Sequence, residues 1–515
     1  MNRRKFLKYS TAGSLLTSSL AFGKIPVLAS GIDMANPGEN ILVIIQMFGG
    51  NDALNTIIPA DNDLYYSSFR RTLNIPKNKA LRLSNTTSYL HPALGYGTND
   101  GLYGLFKQGN LAVIQGVGYP NPNLSHFRST DIWLSGILPK NDAERLESGW
   151  LGRYIEGANL GSEHPKCMNI GKSSSLLFQT GSEDLSIGLE NPKDFYEQGK
   201  DLLSGESFLS GESDYVTERN FLLDLSIQSN KYSKIVKDAF DAGKNTTSYS
   251  DTKLSNELKL VSRLISGGLK SKVYLLSIDG FDTHANQGTV DGKQAALLTE
   301  ISEAVSAFMA DLKAQNLSKK VLGMTVSEFG RRPNQNDSGG TDHGAAGAMF
   351  VFGEEVNPTV FGESFGFSNL DANKDFKYQF DFRSVYAEIL YKWFGEEKSK
   401  GNSILKDSFD FLPGEVLRKK FSPGEILGKE RSNESMIYPN PTPDGNVVVE
   451  LNLSKPALVS ISFTNARGVN FNVVSEVPFG AGKQQFPMNL WGGSGLYLVI
   501  IRVGENINTH KIIWV

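Results

Sequence analysis

The stretch Ile41-Leu42-Val43-Ile44-Ile45-Gln46-Met47-Phe48-Gly49-Gly50-Asn51-Asp52 couples a continuous apolar run to a glycine-rich, acidic turn. A run of this length with apolar side chains at both parities reads as a strand covered on both faces. Four more such runs occur later in the chain: Leu111–Val117, Lys272–Ile278, Val321–Val326 and Ala348–Phe352. Between them lie helical patterns. Over 294–312, Ala295, Leu298, Ile301, Val305, Phe308 and Leu312 form one stripe, and over 383–394 Val385, Ile389, Leu390 and Trp393 form another. Strands alternating with helices predict an α/β fold with a mostly parallel sheet sandwiched by helices. The stretch from about 164 to 270 is polar and partly helical, and reads as an insertion or cap over that sheet.

The turns at the ends of these runs carry the chemistry. Asp52 closes the first turn. Asp279-Gly280-Phe281-Asp282-Thr283-His284 comes directly after the third run, and Ser327-Glu328-Phe329-Gly330-Arg331-Arg332 after the fourth. Gly340-Thr341-Asp342-His343-Gly344 precedes the fifth. In open α/β sheets ligands bind beyond the carboxyl ends of the strands, so these carboxylates and imidazoles are expected to meet in one crevice. Asp52, Asp282, His284, Glu328, Asp342 and His343 are the candidate metal ligands, for Zn, Mn, Mg or Ca rather than an iron–sulfur cluster. After the second run, a Pro-rich turn leads to Ser125 at an apparent helix start. Free N–H groups there favour an anion; Ser125 reads either as a nucleophile or as a plain N-cap. Arg331 and Arg332 are candidates for stabilising oxyanion charge, or are simply solvated.

With 515 residues the chain predicts more than one domain. A net charge of −3 provides no field to draw in nucleic acid. The single cysteine, Cys167, rules out an intramolecular disulfide and a cysteine-based zinc cluster, and reads as a buried apolar residue. At the N-terminus Arg3-Arg4-Lys5-Phe6-Leu7-Lys8 precedes a short apolar stretch ending in Val27-Leu28-Ala29. This resembles a twin-arginine export signal over 1–29, cut after Ala29, and implies the twin-arginine machinery as a partner. No other run is long enough for a transmembrane span in the mature chain. Residues 413–436 read as a linker. From 437, short alternating segments bounded by Gly, Pro and Asn predict a small antiparallel β-sandwich. Its Tyr438-Pro439-Asn440-Pro441 start, Asn465-Ala466-Arg467-Gly468 turn, Gly495-Leu496-Tyr497-Leu498-Val499 and Lys511 resemble the sorting domain of type nine secretion cargo. That resemblance implies the type nine machinery as a second partner and a secreted or surface location reached through the periplasm.

Several motifs over residues 39–397 resemble, in order, the bacterial family called domain of unknown function 1501. They are Gly49-Gly50-Asn51-Asp52-Ala53-Leu54-Asn55-Thr56, His91-Pro92-Ala93-Leu94, Ser125-His126-Phe127, Gly149-Trp150-Leu151-Gly152-Arg153, Gly280–His284, Ser327–Arg332 and Gly340–Gly344. That family is similar to the alkaline phosphatase and sulfatase superfamily, which implies such a domain over 39–412. It also implies Asp52 as a first-strand metal ligand, Asp282 with His284 as an Asp/His pair, His343 as a late ligand and Ser125 as attacker. Phe329 stands where a histidine is expected after Glu328, and no sulfatase Cys-x-Pro-x-Arg motif is present. The expected activity is metal-dependent hydrolysis of phosphate or sulfate esters. The alternative is a non-catalytic surface protein whose degenerate site binds glycans or envelope components.

Overall fold

A computed structural model describes residues 40–418 and 434–515, apart from 142, 159–163, 172–173, 182, 200–229, 454–455, 466–469, 492 and 504–505. The export signal and most of the linker therefore lie outside the described residues. These residues fall into two compact units, 40–418 and 434–515.

The first unit is built on a nine-stranded sheet. Its strands, in chain order, are β1 (Ile41–Phe48), β2 (Leu111–Gly118), β3 (Cys167–Ile170), β4 (Ser186–Leu189), β5 (Val273–Asp279) and β6 (Val321–Val326). A hairpin outside the sheet, β7 (Gly330–Gln335) and β8 (Thr341–Gly344), comes next, then β9 (Gly347–Phe352), β10 (Val360–Phe361) and β11 (Phe380–Asp381). The order across the sheet is β10-β2-β9-β6-β1-β5-β3-β4, with β11 also pairing with β2. Every pairing is parallel except those of β9 with β2 and β6. Between β6 and β9 there is a hairpin and no crossover helix, so the chain re-enters the sheet in the opposite direction.

The apolar runs become strands because both parities find a layer. Val43, Ile45 and Met47 share one core with Leu258, Val261, Leu298, Ile301 and Phe308, which come from helices α2 (Lys253–Ser266) and α3 (Lys293–Ala314). The opposite parity, Leu42 and Ile44, is as deeply buried. On that side Trp393 donates its Nε1–H to the Ile41 carbonyl, from the wide turn Ile389–Trp393 that continues helix α4 (Phe382–Glu388). The stretch 164–270 differs from the expected cap. It contributes β3 and β4 to the sheet itself, and α2 to the main core. Four-residue strands are too short to announce themselves by periodicity.

The second unit is a 3-stranded antiparallel sheet and a 4-stranded antiparallel sheet. Side chains of both, including Val449, Phe486, Ile461, Val499 and Ile501, close one core. Strand Gly482–Asn489 escapes a reading by hydropathy, since only Phe486 and Met488 along it are apolar and buried. Among the described residues no helix is long and apolar enough to cross a membrane.

Within the first unit His91 starts the turn Pro92–Gly95, its Nδ1 accepting from the Ala93 N–H at 3.0 Å. Its Nε2–H therefore donates to the Thr289 carbonyl at 2.9 Å, and the neutral ring is fully satisfied. Burial holds its pKa below 6.5. The unfolded chain thus binds a proton that the folded chain refuses. The stability involved is present above 6.5 and is lost as pH falls from there toward the folded pKa. We expect thermal melts of the wild type to drop more steeply across this window than those of His91→Gln, which starts less stable. Parallel pH slopes for the two proteins would contradict this account.

Candidate metal centre

Strands β1, β2, β5 and β6 point the same way, so the loops at their carboxyl ends share one edge of the sheet. The first and third of these touch. Gly49, at φ +117°, lies so close that an added Cβ would sit 2.3 Å from the Asp282 amide nitrogen. Arg331, on β7 and fully buried, ties the loops together. Its guanidinium donates to the carbonyls of Gly49, Gly50 (2.8 Å), Thr341 (2.7 Å) and Phe281 (3.2 Å), and to Asp282 Oδ1 at 2.7 Å. Across the hairpin Arg331 pairs with His343. Gly340 lets the next turn approach, since a Cβ there would sit 2.3 Å from the His284 carbonyl carbon.

Three imidazoles gather on Asp282. His343 Nδ1 lies 2.8 Å from the Leu124 carbonyl, which only accepts, so that nitrogen carries the proton and Nε2 is bare. This bare Nε2 is 3.4 Å from Asp282 Oδ1 and 2.9 Å from His284 Nε2. His126, first residue of helix α1 (His126–Ser135), directs Nδ1 at Glu328 Oε1, 2.8 Å away. The same Glu328 oxygen accepts the Gly49 N–H at 2.8 Å. His126 Nε2 then faces Asp282 Oδ2 at 3.5 Å. His284 places Nδ1 3.2 Å from Asp342 Oδ1 and Nε2 3.1 Å from Asp282 Oδ1. Ligand atoms of His126, Asp282 and His343 all lie within 4.8 Å of one another.

This arrangement has a charge problem. Each ring has one nitrogen anchored to an outer acceptor, the pattern that orients metal-bound histidines. The other nitrogens face one another and a carboxylate. Protonated rings would donate to Asp282 and turn these contacts into ion pairs. With neutral rings, a cation in their midst relieves all of these contacts. The four spacings of 2.9–3.5 Å, taken over both oxygens of Asp282, are close to the ligand–ligand distance of about 3.3 Å around an ion with bonds of about 2.0–2.1 Å, while the group of ligand atoms within 4.8 Å of one another does not include His284. Burial raises the Asp282 carboxyl, but hydrogen bonding and charge from Arg331, with His284, outweigh it and hold it below the usual carboxylate range. Burial, helped by the Arg331 charge, holds His343 below its ordinary value and favours the neutral, ligating ring.

Of the residues expected here, Asp282, His284 and His343 come together. Asp52 is occupied elsewhere. Its carboxylate, wholly buried, takes Arg70 at 2.5 and 2.9 Å and Gln287 at 2.6 Å, and caps the turn Ala53–Thr56 through the Asn55 N–H. Glu328 and Asp342 contact imidazoles from outside, as anchors of His126 and His284. Arg331 is wholly buried, and each of its guanidinium nitrogens is bonded to a carbonyl or to Asp282. Arg332 is exposed, and its guanidinium makes a long bond of 3.4 Å from Nε–H to the His343 carbonyl. Ser125 occupies the N-cap position of α1 and is exposed, but its hydroxyl makes no capping bond. The residue missed is His126. In a chain with six histidines, a third imidazole in a loop after an apolar run was the available signal.

The family model described as "Protein of unknown function (DUF1501)" matches residues 112–395. No curated protein matches the chain. Among solved structures the chain is similar to a sulfatase from Pseudoalteromonas sp., at 11% identity over 87% of this chain and 83% of that one, with a TM-score of 0.32. It is also similar to a protein in the alkaline phosphatase superfamily from Vibrio parahaemolyticus, at 9% identity over 92% and 91%, TM-score 0.29. A phosphonate monoester hydrolase from Silicibacter pomeroyi gives 9% identity over 87% and 88%, TM-score 0.34. At such scores only the centre's own residues bear on its chemistry.

The Asp52–Arg70 pair supports a clear expectation. Asp52→Asn leaves a buried guanidinium uncompensated, at a cost of about 3–5 kcal/mol by chemical denaturation, while bound metal per folded chain is unchanged. Loss of metal with stability intact would instead make Asp52 a ligand.

Proposed function

The chain belongs to the DUF1501 family, and from that starting point we propose that it is a metal-dependent hydrolase of phosphate or sulfate esters. The observation that carries this reading is the convergence of three anchored imidazoles on Asp282, a donor set that suits a divalent ion. His126, His284, His343 and Asp282 would hold the ion. A nitrogen-rich set with one carboxylate suits zinc better than magnesium or calcium. Such an ion supplies Lewis acidity toward an ester oxygen.

The surrounding residues supply the rest. Helix α1 presents its first N–H groups without a side-chain cap, a setting that favours an anion. Ser125, the proposed attacker, stands between Leu124, whose carbonyl anchors His343, and His126 itself. Its hydroxyl is exposed at that helix end and uncommitted to capping. Arg332 offers the exposed guanidinium that Arg331 cannot, and its fork matches a tetrahedral anion. The twin-arginine-like signal and the C-terminal sheets support a further proposal, that the protein is exported through the periplasm and sorted outward by type nine machinery.

Purified mature protein is expected to carry a divalent ion by elemental analysis, and to melt at a higher temperature with it than after chelation. His284→Ala with His343→Ala removes both the ion and the temperature shift. Stability that is indifferent to chelation, with no ion found after growth in metal-replete medium, would sink the reading. On an ester panel Ser125→Ala should lose turnover by roughly two or more orders of magnitude with metal content intact. Near-wild-type turnover would remove Ser125 from the reaction. Bound metal with no ester cleaved would leave a binding protein.

Export has its own test. Replacing Arg3 and Arg4 together by Lys should leave unprocessed precursor in the cytoplasm. Deleting 437–515 should strand a folded first unit in the periplasm, since the second unit closes its own core. Normal surface arrival of either variant would refute the corresponding assignment.

A further inference from the structure

Gln287 follows His284 by three positions and is wholly buried. Its Nε2–H donates to Asp52 Oδ2 at 2.6 Å. Its Oε1 accepts from the Thr283 hydroxyl at 3.0 Å and from the Thr341 hydroxyl at 2.8 Å. These partners fix the orientation of the amide. Turned over, it would set Oε1 against a carboxylate oxygen already paired with Arg70, and neither oxygen could donate to the other.

The two threonines stand next to the imidazoles in the chain. Thr283 directly precedes His284, and Thr341 leads into Asp342 and His343. Both are wholly buried, and the Thr341 N–H donates to the Thr283 carbonyl at 3.1 Å. One amide oxygen therefore spaces the segments that carry two of the three imidazoles. The amide nitrogen anchors both segments to the turn after β1. Asn336 also links these segments, by a 2.9 Å bond to the His284 carbonyl, but that bond is exposed and water competes for it. A threonine deprived of Gln287 has no such replacement, because its hydroxyl lies out of reach of solvent. Resting on the hydrolase reading above, we propose that Gln287 is the positioning residue that sets His284 against His343, and with them the affinity of the centre for a divalent ion. It does so while hydrogen-bonding to neither ring. Asp52, expected as a ligand, supplies the fixed acceptor that orients Gln287.

The test uses the mature full-length protein. Gln287→Met keeps the length of the side chain and removes all three bonds. Ser262→Ala removes a buried 2.8 Å bond to Asp311, between helices α2 and α3, and is the control for lost stability alone. Zinc affinity is read by competition with a chromophoric chelator. Gln287→Met should bind zinc about tenfold more weakly, and Ser262→Ala as tightly as the wild type. A second readout needs no metal. The N–H groups of Asn286, Gln287 and Thr341 bridge the two segments. In chelated protein their hydrogen–deuterium exchange should rise about tenfold in Gln287→Met and not in Ser262→Ala. Should Gln287→Met fail to fold, Thr283→Val and Thr341→Val each remove one bond. Each should weaken zinc about threefold, half of the full effect on a logarithmic scale. Unchanged zinc affinity in these variants, a loss matched by Ser262→Ala, or bridging amides that exchange no faster than in that control would overturn the proposal and leave the hydrolase reading standing. Wild-type protein that binds no ion would overturn both.

Discussion

The Arg331 guanidinium is the constraint on which the rest of the centre depends. It is fully buried, and its counter-charge, Asp282, is itself about half exposed. A buried cation with so little formal compensation persists only where other acceptors complete its shell. Here the carbonyls of Gly49, Gly50, Phe281 and Thr341 do so. Those carbonyls belong to two strand-end loops and the start of β8, brought to one place because β1 and β5 are parallel neighbours and Arg331 and Thr341 lie in the same hairpin. The loops cannot separate without stripping acceptors from the buried charge. The position of Asp282 is thus a by-product of solvating Arg331, and the imidazoles assemble around a carboxylate that is already fixed.

A second buried guanidinium repeats the device one layer below. Arg70 pairs with Asp52 and also donates to the carbonyls of Arg332 and Pro333. Strand β7 is therefore gripped on its backbone by Arg70 while its own Arg331 grips the strand-end loops. Between the two grips the Arg332 side chain faces solvent. The alternation along β7 thus separates two adjacent arginines into a structural role and an accessible one. Sequence alone cannot make that separation, because both read as cations next to a strand end.

The same ambiguity explains which parts of this protein were legible. Long apolar runs specify their own strands, and Val321–Val326 has the same bounds in the structure as its apolar run has in the sequence. Four-residue strands such as Cys167–Ile170 are defined by neighbours far along the chain, so their place in the sheet is a tertiary fact. Asp282, His284 and His343 could be named together because Asp and His share short glycine-flanked loops, and the structure brings them within reach of one another. Asp52 and Glu328 have the same local signature, yet one faces Arg70, 18 positions on, and the other an imidazole 202 positions away. A carboxylate after a strand looks alike whether it meets a metal, a guanidinium or a ring N–H. His126 went unread as a ligand because its neighbour Ser125 accounted for the helix start, although the hydroxyl makes no capping bond.

Phe329 shows how the centre is completed without the histidine expected at that position. Its ring packs against His343, with centroids 4.4 Å apart, and against His126 at 4.9 Å. A Cβ on Gly50 would fall 2.3 Å from this ring, so the first loop is shaped to receive it. The phenyl ring therefore forms an apolar wall behind two of the imidazoles and restricts their rotation about the proposed ion. The third imidazole comes from the start of α1, after β2. That origin has a consequence for the chemistry, because His126 brings its neighbours Leu124 and Ser125 with it. The carbonyl of Leu124 sets the tautomer of His343. An imidazole supplied by β6 would have left the Ser125 loop unconnected to the cluster. Supplied by α1, it places the imidazole cluster, the uncapped helix end and the Ser125 hydroxyl on one short segment.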